Sequence, residues 1–101
     1  MIPFEEIGIY DSFLEKAIVQ WLYLARRNSE ACDPRFGHRQ LSEIMMGIGR
    51  EATPSNAASV SRSIRSLVEK RVLFPTPKIN GRGNDFGLTE RAWRVINRVS
   101  S

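Results

Sequence analysis

A segment rich in serine and arginine, SNAASVSRSIRS at positions 55–66, carries side chains that are well suited to binding an anion. Serine hydroxyls, an asparagine amide and arginine guanidinium groups bind phosphate oxygens and the edges of bases. No acid lies between Ser55 and Leu67, whereas an ordinary surface helix usually mixes charges of both signs. A solvated helix face is the alternative interpretation. The neighbouring elements decide how these side chains are presented.

Apolar periodicity predicts a helix over residues 54–71. Thr53 supplies an N-cap oxygen, and Pro54 takes the first helical position, where its missing N–H has no helical partner to lose. At about 100° per residue, an arc of about 100° holds Ala57, Val60, Ile64, Leu67, Val68 and Arg71. A disordered Ser/Arg tract would lack such a face. The outward face is then predicted to hold Ser55, Ser59, Arg62 and Ser66, flanked by Asn56, Ser63 and Arg65.

A first helix is predicted over residues 11–28, because Ser12 and Glu15 have the spacing of a capping box. Its apolar arc covers about half the circumference and holds Phe13, Leu14, Ala17, Ile18, Trp21, Leu22, Leu24 and Ala25. Val19 and Tyr23 fall outside this arc, on the opposite side. A helix this apolar is expected to contact both its own core and a second surface.

A second helix is predicted over residues 39–46, after a loop that we expect to contain a short strand near Phe36. Gly47 and Gly49 end this helix, because glycine tolerates the left-handed backbone of a C-cap. The connection to the third helix, from Gly47 to Asn56, is long.

A β-hairpin is predicted over residues 72–88, because the glycine-rich turn NGRGN lies between short apolar segments. Pro75 and Pro77 donate no backbone hydrogen bond, so we expect them at a sheet edge or a break. Thr89 caps a last helix over residues 90–99. The chain is therefore predicted to be one α+β domain over residues 1–101, mainly α with a small hairpin, in the order α-α-α-β-β-α.

The content of reactive side chains argues against an enzyme. One cysteine, Cys32, and one histidine, His38, are too few for a disulfide or a Cys/His zinc site. The carboxylates do not cluster, and no Ser/His/Asp or Cys/His set can be assembled. We expect no catalytic residues, no metal and no cofactor.

Charge is distributed unevenly along the chain. The 101 residues carry a net charge of +4, with −3 in residues 1–34 and +7 in residues 35–101. Such an imbalance favours a polyanionic partner, most often nucleic acid. A general bias towards arginine over lysine is the alternative explanation.

The N-terminal residues MIPFEEIGIY have acids where a signal peptide needs positive charge. The longest apolar region, from Ala17 to Ala25, is interrupted by Gln20 and is too short to cross a membrane, which takes about 20 residues. These features predict a cytoplasmic protein that does not associate with a membrane.

Three stretches of the chain, RQLSEIM, SVSRSIRSLVEKRVLF and GRGNDFGLTERAWRVI, resemble the core of winged helix-turn-helix regulators, the MarR-like group in particular. The resemblance covers roughly residues 39 to 96. It implies that the third helix enters the major groove and that the hairpin forms the wing. Arg62 matches an arginine that often contacts DNA in such proteins. The sequence departs from the pattern at Arg71 and Ala92, where glycine is usual, and in the long connection after the second helix.

These observations predict sequence-specific binding of double-stranded DNA by a small transcriptional regulator. The leading part of the third helix reaches deepest, so we expect Arg65 and Ser66 to contact the backbone and the preceding residues to read bases. The full set of predicted DNA contacts is Arg39, Ser55, Asn56, Ser59, Arg62, Ser63, Arg65, Ser66, Lys78, Asn80 and Arg82. The alternatives are a winged-helix protein-interaction module and a plasmid or viral replication or partition factor.

A homodimer through the terminal helices is also predicted, with Val19, Tyr23 and Trp93 as contacts. MarR-like proteins dimerise through terminal helices. A two-fold dimer would place two third helices about one turn of DNA apart.

Overall fold

The computed structural model describes residues 2–10, 12–29, 37–78, 81 and 83–100. Four helices and one antiparallel hairpin make up an α+β fold, and the predicted order α-α-α-β-β-α is confirmed. The elements are α1 (Phe13–Arg27), α2 (Leu41–Gly47), α3 (Pro54–Glu69), β1 (Leu73–Pro77), β2 (Asn84–Leu88) and α4 (Glu90–Ser100). No helix in the described part of the chain is both long and apolar enough to cross a membrane.

Helix α1 begins as the capping pattern predicts, because the Ser12 side chain accepts a hydrogen bond from the Glu15 amide. The expectation that Val19 and Tyr23 face away from the core is wrong. Val19 is 0% exposed and Tyr23 3% exposed, and both belong to the core together with Ile7 from the N-terminal segment. The helical wheel identified a wide apolar arc, but the buried side of α1 extends beyond that arc to Val19 and Tyr23.

Helix α2 begins at Leu41, two residues later than predicted, because Gln40 is its N-cap and the Glu43 carboxylate accepts from the Gln40 amide. Arg39 precedes the helix and pairs with Phe86 of β2 through two backbone hydrogen bonds, of 2.9 and 2.8 Å. The hairpin is thereby joined to the segment before α2. The strand predicted near Phe36 lies outside the described residues.

The connection from α2 to α3 is ordered by local hydrogen bonds. Gly49 adopts a left-handed φ of 78°, as a C-cap glycine should, and the Arg50 amide donates to the Met45 carbonyl at 2.8 Å. The Asn56 side chain donates to the Glu51 carbonyl at 3.0 Å. These bonds hold the start of α3 against the end of α2.

The Thr53 N-cap of α3 offers a direct test of this arrangement. Its hydroxyl accepts from the Asn56 amide at 3.1 Å. We expect Thr53→Ala to lower the free energy of unfolding by about 1 kcal/mol, because one amide of the first turn loses its partner. Thr53→Ser keeps the acceptor and should stay within a few tenths of a kcal/mol. Urea denaturation measures both, and equal losses in the two variants would rule out the cap as the cause.

Helix α3 supplies one wall of the core through Val60, Ile64 and Leu67. It ends at Glu69, two residues before the predicted end, and Arg71 then adopts a left-handed φ of 62°. Left-handed backbone favours glycine, and an arginine occupies it here. This turn reverses the chain after α3, so that Val72 and the hairpin lie against α3.

The hairpin pairs Leu73 with Leu88 at its base and Pro77 with Asn84 at its far end. Its edge strand is β1, since the other side of β2 pairs with Arg39, so the prolines lie at an edge as predicted. At the base, Gly87 lies against the His38 ring, and a Cβ there would be 2.6 Å from Nε2. Glycine at this position lets the segment before α2 approach β2 closely.

A buried ion pair links the start of α1 to the end of α3. Glu15 is the only charged residue that is buried in the described part of the chain. Lys70, the C-cap of α3, places its Nζ 3.0 and 3.3 Å from the two carboxylate oxygens of Glu15. This ion pair holds the end of α3 close to the start of α1.

Candidate nucleic-acid interface

One side of α3 is turned to solvent along its whole length. The exposed residues recur at spacings of three and four and form a set that we call the α3 stripe: Ser55, Ala58, Arg62, Arg65 and Glu69. The centre of the stripe is about 120° from Ala57 on the helical wheel, on the side that faces away from the apolar arc. A broad groove of nucleic acid could therefore approach the whole length of the stripe.

Ala58 was missed by sequence reasoning, which searched for hydrogen-bonding side chains. It is exposed one turn before Arg62 and one turn after Ser55. Small side chains at these two positions let another surface come close to the helix backbone. The three- and four-residue spacing from Ser55 to Arg62 is the signal that would have included it.

The two arginines of the α3 stripe make no ion pair or hydrogen bond within the described structure. Elsewhere, cations are used to hold the fold together: Arg26 pairs with Glu90 at 2.8 Å, and Arg98 pairs with Glu6 at 2.9 Å. Arg62 and Arg65 are exposed, and the nearest acid in sequence is Glu69 at the far end of the stripe. Their guanidinium groups are therefore available to an external anion.

The other predicted polar contacts on α3 lie beside the stripe, where they are half-buried: Asn56, Ser59, Ser63 and Ser66. The Asn56 amide nitrogen is occupied by the Glu51 carbonyl, so this side chain positions the connection between helices. Its carbonyl oxygen is left as an acceptor. That these four side chains contact DNA stays a prediction.

A groove lies between α3 and the hairpin. Its volume is about 330 Å³, and its lining is Leu41, Ser61, Ile64, Arg65, Val68, Pro75, Asn84 and Phe86. A second depression of about 460 Å³ shares Leu41, Asn84 and Phe86 and extends to Lys78. Arg65 lines the groove, and Lys78 lines the neighbouring depression, so each of the two hollows has one cation in its wall.

Of the predicted DNA contacts outside α3, Lys78 and Arg39 already make hydrogen bonds within the chain. Lys78 is half-buried, and its Nζ donates to the Gln40 side chain at 2.5 Å, over the start of α2. Arg39 donates to the His38 carbonyl at 2.7 Å. It lies two residues before α2, and its contact with DNA stays a prediction. Asn80 and Arg82 lie outside the described residues.

The predicted dimer contacts are already used within one chain. Val19 and Tyr23 are in the core. Trp93 is half-buried, with its ring 5.3 Å from the Tyr23 ring and the Arg26 guanidinium 4.3 Å above it. Val19 and Tyr23 are therefore not open to a partner, and a homodimer stays a prediction.

No set of three or more metal-ligating side chains comes together in the described part of the chain. Comparisons with family models, with curated proteins and with solved structures found no match.

Proposed function

We propose that this protein binds double-stranded DNA as a winged helix-turn-helix domain, with α3 in the major groove and the hairpin as the wing. The observation that carries the proposal is the α3 stripe. It combines two arginines without an ion pair or hydrogen bond among the described residues, two small side chains and no acid before Glu69. A solvated surface helix usually mixes charges of both signs along such a face, whereas the stripe from Ser55 to Arg65 carries only positive charge.

The dimensions of the stripe suit a major groove. From Ser55 to Arg65 the helix rises about 15 Å, and the groove is about 12 Å wide, so an inserted helix can place several consecutive side chains against the bases. Arg62, in the middle of the stripe, is the best candidate for a bidentate contact with guanine. Ser55 leads the helix, where recognition helices reach deepest.

The hairpin supports the same interpretation. Its position relative to α3 is held by the pairing of Arg39 with Phe86 and by the core residues at its base. Arg65 lines the groove between α3 and the hairpin, and Lys78 lines the depression that shares Leu41, Asn84 and Phe86 with it. A phosphate backbone that crossed both hollows would meet both cations.

We further propose that the protein acts as a transcriptional regulator through sequence-specific binding. Four short or medium polar side chains beside the stripe provide donors and acceptors in addition to the arginines. This part of the proposal predicts a preferred sequence, which a purely electrostatic binder would lack.

The test is selection of bound duplexes from a random pool, followed by titration of the enriched duplex at several salt concentrations. We expect an enriched sequence, and we expect log Kd to change with log salt with a slope of about 2 to 3, because two or three phosphates per chain would be neutralised. Binding without enrichment would remove the regulator role. Absence of binding at low salt would contradict DNA binding and favour a protein partner.

A further inference from the structure

The outward side of α3 offers hydrogen-bond donors but no carboxylate that could accept from a base. Arg62 and Arg65 carry donors only, and the first acid of the helix is Glu69, about 10 Å beyond Arg62 along the axis. In the major groove, guanine presents the acceptors O6 and N7, thymine presents the acceptor O4, and cytosine presents the N4 donor. The α3 stripe therefore matches guanine and thymine and lacks the carboxylate that reads cytosine.

The one amide side chain of α3, that of Asn56, is held beside the stripe. Asparagine reads adenine through two hydrogen bonds that use both its amide nitrogen and its carbonyl oxygen. The Asn56 amide nitrogen donates to the Glu51 carbonyl at 3.0 Å, and the residue is half-buried. A bidentate contact with adenine would have to break or share that bond. Adenine is therefore a poorer match to α3 than guanine or thymine.

Ala58 gives the α3 stripe an apolar contact point. It is exposed one turn before Arg62, on the same side of the helix. Alanine makes no side-chain hydrogen bond, and the apolar group that a base edge presents in the major groove is the C5-methyl group of thymine. The four-residue spacing corresponds to about 6 Å along the axis, or roughly two base-pair steps of about 3.4 Å. Ala58 therefore suits a thymine close to the base that Arg62 contacts.

We propose that α3 selects guanine and thymine, with the Ala58 methyl group packed on the C5-methyl group of a thymine within about three base pairs of the guanine that Arg62 contacts. This inference rests on the proposed function, because it names the bases that the α3 stripe selects. It makes Ala58 a specificity-determining residue, although its side chain has no polar atom. If Ala58 faced only water, the enriched sequence would be indifferent to the thymine methyl group.

The contact requires the first turns of α3 to lie close to the base edges. Two methyl groups in contact are about 4 Å apart, and an alanine side chain extends little beyond the helix backbone. The residues of α3 before Ala58, PSNA at positions 54–57, carry no side chain longer than asparagine, and that asparagine is bonded to the connection. The leading end of a recognition helix also reaches deepest into the groove. The position of Ala58 near this end is therefore compatible with direct contact.

Base analogues in the duplex enriched from the random pool test the proposal. Deoxyuridine in place of one thymidine removes the C5-methyl group and keeps the base pairing. We expect one such replacement, close to the guanine that Arg62→Ala no longer selects, to weaken binding of the full chain by about fourfold, the effect of leaving one methyl-sized group unburied. We expect the same replacement to have little effect on Ala58→Gly, which lacks the contacting methyl group. Fluorescence anisotropy measures all four affinities.

Ala17→Gly is the matched control, because it removes the same methyl group from α1 and weakens that helix by a similar amount. It should keep the full effect of deoxyuridine, and the circular dichroism spectrum checks that both glycine variants are folded. If the parent chain tolerates deoxyuridine at every thymine, or Ala58→Gly keeps the full loss, the thymine contact is wrong although DNA binding stands. Absence of binding to any duplex would overturn the proposed function and this inference together.

Discussion

Replacing Arg62 and Arg65 together by alanine is expected to weaken binding to double-stranded DNA by at least about tenfold at physiological salt. Neither guanidinium group makes an ion pair or hydrogen bond with the residues that the structure describes, so their removal should leave the free energy of unfolding within about 0.5 kcal/mol of the parent. Fluorescence anisotropy with the enriched duplex, repeated at several salt concentrations, measures the change in affinity.

The two single variants distinguish the reading of a base from contact with a phosphate. Arg62→Ala should cost about 1 to 3 kcal/mol on the enriched duplex and much less on an unrelated one, if Arg62 reads a base. Arg65→Ala should weaken binding to both duplexes equally and reduce the salt slope by about 1, if Arg65 contacts a phosphate beside the groove. Equal behaviour of the two variants would contradict this division.

A matched control removes the same charge from another part of the surface. Arg27 and Arg94 are exposed on α1 and α4 and, like the arginines of the α3 stripe, make no ion pair within the described structure. The double variant Arg27→Ala/Arg94→Ala should retain most of the affinity. If it loses as much as Arg62→Ala/Arg65→Ala, binding depends on net charge alone and the α3 stripe is not the site.

Leu67→Ala is expected to have the largest effect on stability, lowering the free energy of unfolding by about 2 to 5 kcal/mol. Leu67 is 0% exposed and lies in the core that α3 shares with the hairpin base and α4. Alanine there removes apolar contacts and leaves a cavity that the surrounding elements fill only in part. For a domain of this size each kcal/mol corresponds to about 4 to 8 °C in Tm, so thermal unfolding should shift by roughly 10 °C or more.

Met46→Ala provides the comparison for Leu67→Ala, because Met46 is a large apolar residue that is almost fully exposed. It should change the free energy of unfolding by no more than about 0.5 kcal/mol. Similar losses in the two variants would mean that Leu67 is not packed as described. The comparison also tests the orientation of α3, since a rotated helix would move Leu67 out of the core.

Local sequence signals predicted the elements well where short-range chemistry determines them. Ser12 and Thr53 cap α1 and α3 as expected, and Gly49 takes the left-handed backbone that ends α2. These features depend on hydrogen bonds between residues a few positions apart. A sequence shows such residues directly, so the order of elements follows from it.

The outward side of α3 was also predictable, because the apolar residues of one helix leave only one direction for the core. Ser55 and Arg62 are exposed as expected. Ala58 was not identified, because its small side chain offers no hydrogen-bonding group. Its contribution is to let another surface come close to the backbone of α3. Whether the stripe meets DNA remains a proposal.

From the sequence alone came the six elements and their order, the caps, the edge position of the prolines and the outward side of α3. Only the tertiary structure decided that Val19 and Tyr23 belong to the core and that Arg39 pairs with β2 instead of starting α2. The physical reason is the distance along the chain over which each kind of interaction acts. Capping and periodicity act within a few residues, whereas burial and strand pairing depend on segments that are distant along the chain and meet only when it folds.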